Sequence, residues 1–167
     1  MSSLALRVLW LGAVLWVAGA AYGAESSVLG VWKLTSYVRE DSASGEITRP
    51  WGENPKGYLM YFPDGHMSAV ITSEGRLPVS PTDEKYYEKN SQLLSTMAAY
   101  AGTYTVQGNK VIHHVEVAWS PSWVGSEQPR EINLDNDTLT IRTQPIRNTR
   151  EGKDYLYLLV WKRAVGE

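Results

Sequence analysis

The chain of 167 residues contains no cysteine, which excludes disulfides, thiol catalysis, cysteine-ligated zinc and a lipid-anchored cysteine. Charge of either sign is scarce: 16 Lys+Arg stand against 18 Asp+Glu, a formal net charge of −2. Such a balance gives no electrostatic footing on a phosphate backbone, so no nucleic-acid partner is expected. A zinc site needs three or four ligands converging from separate strands. With 3 His and no Cys in the chain, neither a metal nor another cofactor is expected. Gly-x-Ser-x-Gly elbows, Walker loops and dinucleotide fingerprints are also missing. Phenylalanine is nearly absent too, with one Phe against 7 Trp and 10 Tyr. Almost every aromatic ring therefore carries a polar handle.

The first two dozen residues have the layout of a secretory signal peptide. Arg7 and the free amine form a positive n-region, and an apolar run from Val8 to Val17 follows. A small-residue string from Ala18 to Ala24 closes the segment. Ala21 and Gly23 fit the small-x-small rule, which predicts cleavage after Gly23. The apolar core is shorter than the roughly 20 residues of a spanning helix, and polar sequence begins at Glu25. The expectation is a leader over 1–23, a single exported domain over 24–167, and no integral membrane segment after cleavage.

Beyond the leader the dominant period is two. Trp32, Leu34, Ser36 and Val38 alternate with Lys33, Thr35, Tyr37 and Arg39, which reads as a first strand. Residues 57–62 and 67–72 flank Pro63-Asp64-Gly65-His66, a hairpin signal in which Pro presets φ and Gly supplies the left-handed conformation. Further strands are predicted at 102–107, 110–119, 129–134, 138–143 and 154–163. One helix interrupts them, from Ser80 to Tyr100, with Pro81 in its first turn and Gly102 as its stop. Strands joined by short turns predict an all-β fold, an antiparallel up-and-down barrel of about eight strands with one inserted α-helix.

Gly30-Val31-Trp32 opens the first strand and Trp161-Lys162-Arg163 closes the last. Between them lie Pro50-Trp51-Gly52-Glu53-Asn54-Pro55-Lys56-Gly57-Tyr58-Leu59, Tyr61 to Ala69, His113-His114-Val115-Glu116 and Pro121 to Gln128. The combination resembles the lipocalin-like domain family, a divergent calycin group with a helix inserted mid-barrel, over roughly residues 28–163. The resemblance implies that Trp32 plugs one end of the barrel and that Arg163 packs across its ring.

Several residues invite chemistry. His113 shares a strand face with Val111, Val115, Val117 and Trp119, either as a satisfied core histidine or as a polar group in a pocket. His114 shares the other face with Glu116, about 7 Å along the strand at ~3.3 Å per residue. That pair is either an acid/base couple or a polar outer face. Arg130, in phase with Ile132 and Leu134, would need an acidic partner or an anionic ligand if it turned inward. Trp51 and Trp123 fall in Pro/Gly-rich loops and are expected at a barrel rim.

The expected function is non-catalytic binding of a small, largely hydrophobic molecule inside the barrel, in the periplasm or the medium. The expected ligand-binding residues are Tyr58, Tyr61, His113, Trp119 and Trp123. Trp32 and Arg163 are expected at the closed end. Two alternatives stay open: an isomerase or cyclase working through acid–base chemistry of His114 with Glu116 or of His113 with a nearby Tyr, and an envelope interaction module whose interior is packed solid.

Overall fold

A computed structural model describes residues 28–164, so the expected leader over 1–23 lies outside the described residues. The strands are β1 (Gly30–Asp41), β2 (Ile47–Thr48), β3 (Lys56–Tyr61), β4 (His66–Thr72), β5 (Met97–Gln107), β6 (Lys110–Ala118), β7 (Glu127–Asp135), β8 (Thr138–Thr143), β9 (Ile146–Asn148) and β10 (Lys153–Arg163). All pairings are antiparallel. β1 bonds to β3 on one side and to β10 on the other, which closes eight strands into a barrel. The short β2 and β9 extend β1 and β10 outside that ring. Closure removes the unpaired edges that an open sheet of this length would expose.

The alternation of side chains sets the core. Leu59 and Tyr61 on β3, Met67, Ala69 and Ile71 on β4, and Leu139 and Ile141 on β8 are buried, with less buried neighbours between them. The turn between β3 and β4 forms as its sequence predicts: Gly65 takes φ +87°, and Asp64 Oδ1 accepts from His66 N at 3.1 Å.

Two irregularities re-aim side chains, as bulges do. In β1 the register with β10 shifts between Leu34 and Ser36, and Thr35 Oγ1 donates to Val160 O at 2.9 Å. Beyond that point Tyr37, instead of Ser36, reaches the barrel cavity. In β6 the register with β5 shifts so that Ala101 faces Val117 while Gly102 faces Val115. Glu116 is the extra residue. A Cβ on Gly102 would lie 2.0 Å from the His114 carbonyl oxygen, so the bulge needs a glycine there. The slip also turns Val117 outward, to 62% exposure, against its expected phase with His113.

The helix is shorter than its sequence suggests. Helix α1 spans Tyr86–Leu94 and buries none of its residues, and Met97 already starts β5. Residues 97–101 pair with β4, Met97 with Thr72 and Tyr100 with Ala69. Met, Ala and Tyr fit a helical stripe and a strand equally well. Here the open edge of β4 decides, because its backbone groups need partners. Gly102 is consequently a strand residue and not a helix stop.

One end of the barrel is sealed by Trp32, which is 0% exposed and donates its indole N–H to Val28 O at 2.8 Å. The Arg163 guanidinium lies 4.1 Å from the Trp32 ring centroid, donates to Leu29 O at 2.7 Å and meets Asp137 at 3.3 Å. Gly30 has φ +116°, and a Cβ there would come 3.1 Å from the guanidinium. The first residue of Gly-x-Trp is thus fixed by both conformation and space.

Candidate functional site

The half of the barrel away from Trp32 is hollow. A cavity of about 480 Å³ is bounded at depth by Leu59, Ile141, Leu159 and Trp161. Aromatic rings form its upper wall. Tyr37 stacks on Trp51 with centroids 4.4 Å apart, and Tyr157 lies 5.6 Å from Tyr37. Opposite them, Trp123 meets Tyr100 edge-on at 5.6 Å and Trp119 at 6.1 Å. Trp119 is 37% exposed, so the cavity reaches the surface on that side. Loop chemistry holds Trp51 in place. Gly52 turns the chain at φ +85°, and Glu74 accepts from Glu53 N, Asn54 N and Asn54 Nδ2 at 2.9–3.1 Å.

A buried polar cluster is set into this mostly apolar wall. His113 on β6 is 1% exposed, and both its ring nitrogens are engaged. Its Nε2 lies 2.7 Å from the Tyr61 hydroxyl and its Nδ1 2.9 Å from the Tyr100 hydroxyl. Burial pushes the imidazole pKa down to about 3, helped by the nearby Arg130 guanidinium and then by His114. Burial likewise holds both phenols above their usual value, although Arg130 opposes this at Tyr100. All three groups are therefore neutral around pH 7.

Neutrality fixes the direction of the hydrogen bonds. A neutral imidazole donates from one nitrogen and accepts at the other. If Nε2 carried the proton, Tyr61 would accept it, and its own O–H would be stranded at a site only 1% exposed. A stranded buried donor costs about 1–3 kcal/mol. The favoured arrangement has Tyr61 donating to Nε2 and His113 Nδ1–H donating to the Tyr100 oxygen. Tyr100 then keeps its O–H to give away.

Arg130 completes the cluster. It lies on β7 opposite Thr143, its side chain reaches the cavity beside Tyr100, and it donates to Pro129 O at 3.0 Å and to the Gln128 side-chain carbonyl. Among the described residues it forms no ion pair with a carboxylate. Glu127 also borders the cavity, but its side chain is 71% exposed and sits 3.4 Å from His114 Nδ1.

The fold brings some of the expected residues together and separates others. Tyr61 and His113 are in direct contact, with Tyr61 behind the imidazole and outside the cavity lining. Trp119 and Trp123 stand at the mouth. Tyr58 does not belong: three residues from inward Tyr61, it falls on the opposite face of β3 and is 47% exposed. Of the two readings of His114 and Glu116, the fold gives the polar outer face. His114 contacts Glu127 and, at 3.2 Å, Thr105, while Glu116 is exposed on the bulge, and neither residue meets the cavity. Trp32 and Arg163 occupy the sealed end.

Sequence reasoning missed Tyr37, whose phase the bulge in β1 changes, and Tyr100, which falls in the predicted helix. The available signal for Tyr100 was the period-two series Ala98, Tyr100, Gly102, Tyr104. Among the described residues no group of three or more His, Asp or Glu is placed to hold a metal ion, and no helix is long and apolar enough to cross a membrane.

No curated protein matches the chain. A model of the lipocalin-like domain matches residues 29–164, which takes in every strand of the barrel and both walls of the cavity, and the chain belongs to that family.

Proposed function

We propose that the protein is exported and binds a small, largely hydrophobic molecule inside its barrel without transforming it. The observation that carries this reading is the cavity of about 480 Å³ lined by Tyr37, Trp51, Trp119, Trp123 and Trp161. Its size falls in the range of small-molecule sites, about 300–1,000 Å³, and its wall is mostly apolar and aromatic, with a few polar groups. Burying apolar ligand surface there contributes about 25 cal/mol per Å². The state of His113 supports binding over turnover. A neutral imidazole held at both nitrogens, with its pKa near 3, has no lone pair available as a base at neutral pH. The hollow interior weighs against a solid interaction module. Export rests on the n-region, apolar run and small-residue string of residues 1–24.

Native mass spectrometry of the full-length gene product purified from its own host tests both parts. The expected spectrum shows a chain beginning at or near Ala24 and a small molecule that is released on denaturation. A chain retaining residues 1–23 would overturn export. An empty protein that also takes up no apolar probe would overturn binding.

A further inference from the structure

The polar cluster constrains the ligand further, on the reading that the cavity binds a small molecule. Arg130 is a permanent cation on the cavity wall with no carboxylate partner among the described residues. Gln128, the Pro129 carbonyl and the Tyr100 oxygen are neutral and satisfy only part of a guanidinium that carries five N–H donors. A partly buried charge is costly without a counter-charge. Beside it, the Tyr100 oxygen already accepts from His113 in the favoured tautomer, so the Tyr100 O–H needs an acceptor elsewhere. Arg130 offers none, since a guanidinium has no lone pair to give. A cationic N–H donor and a neutral O–H donor thus converge on one side of a mostly apolar chamber. Tyr61 and His113 act behind them as positioning residues that set which way the Tyr100 proton points.

We infer that the ligand is an apolar monocarboxylate, its carboxylate bound by Arg130 and the Tyr100 hydroxyl and its hydrocarbon body packed between the aromatic walls. A carboxylate matches both donors, because each of its oxygens accepts and the pair with Arg is charge-assisted. A neutral alcohol would leave the cation uncompensated. An ammonium would add a second positive charge beside it. Glu127 does not fill the role, because its carboxylate is mostly exposed and lies against His114.

Three ten-carbon probes separate these cases: decanoate, 1-decanol and decylammonium, titrated at pH 7.5 into the full-length protein. Quenching of tryptophan fluorescence reports occupancy, since four Trp rings line the chamber. Decanoate is expected to bind about tenfold tighter than decanol or better, with decylammonium weakest. Arg130→Met is expected to abolish the preference by weakening decanoate while leaving decanol unchanged. Arg130→Lys should restore part of it, because the charge returns without the planar fork. Tyr100→Phe should reduce decanoate affinity by a few-fold and leave decanol alone. Melting curves of each variant show whether it is folded.

Equal affinity for decanoate and decanol, or a preference that survives Arg130→Met, would overturn the carboxylate assignment and leave barrel binding standing. Failure of all three probes to bind would overturn both.

Discussion

The two ends of the barrel use the same residue types to opposite effect. At the sealed end the indole N–H of Trp32 is bonded to Val28 O, and Arg163 is held by the Trp32 ring, Leu29 O and Asp137. At the hollow end Arg130 has only neutral partners, and the Tyr100 O–H is left over once His113 has donated to its oxygen. A polar group whose bonds close within the chain stabilises the fold. One with capacity left over costs stability until a ligand supplies the missing partner. The contrast shows how one small barrel can be rigid at its base and receptive at its mouth. Trp161 stands at the boundary: its ring borders the cavity, yet its Nε1 is the one buried side-chain polar atom without a partner among the described residues.

The largest break in this contrast is expected from Trp32→Ala. Emptying the plug removes a fully buried indole and strands the cation above it, a loss of about 3–5 kcal/mol in denaturant unfolding. A smaller loss would mean that Trp32 does not seal the barrel.

Acid should act next, and in the range above the ordinary carboxylate pKa values chiefly through the cavity histidine. The unfolded chain protonates His113 near the ordinary value of 6.5, whereas the folded protein holds it neutral down to about 3. Between these values the unfolded state binds more protons. Stability from this group is therefore fully present above pH 6.5 and falls by about 1.4 kcal/mol per pH unit below it, until pH 3. His113→Leu should flatten that dependence. At pH 7 the same variant should lose about 1–3 kcal/mol, because Tyr61 no longer has an acceptor. Urea titrations of both proteins from pH 7 to pH 4 measure the difference, and parallel slopes would contradict a buried neutral imidazole.

The smallest effect is the sharpest test of the comparison. Arg163→Met should lower stability by about 1 kcal/mol, through the lost cation–π contact and the bond to Leu29 O. Arg130→Met should leave the ligand-free protein within about 0.5 kcal/mol of the parent or stabilise it, since it removes a charge that no anion compensates. Equal losses at both positions would show that the two ends do not differ in this way.

Much of the barrel was legible in the sequence because its cues are local. Alternation in 57–62 and 67–72 and the Pro-Asp-Gly turn between them specify a hairpin without reference to the rest of the chain. Gly30-Val31-Trp32 and Arg163 could be paired because the family resemblance carries both ends at once. The site was only half legible. Trp119, Trp123 and His113 stood out by type and position. Tyr58 was misplaced because tyrosine suits either face of a strand, and counting from Tyr61 alone would have excluded it. Tyr100 was hidden by a segment whose residues satisfy helical and strand periods alike. His114 with Glu116 looked chemical because a two-residue spacing guarantees a shared face, but it does not say which face.

By itself the sequence determined the closed, cysteine-free barrel: alternation buries one face of each strand, short turns make neighbours antiparallel, and no disulfide is available to take over from packing. Only the tertiary structure decided what the interior is for. The bulges after Leu34 and at Glu116 shift the phase of β1 and β6 by one residue, which turns Tyr37 inward and Val117 outward. Closure then brings Tyr61, Tyr100, His113 and Arg130 from four strands to one depth. Direction of bonding among them depends on burial, and burial is a property of the assembled barrel that no local pattern encodes.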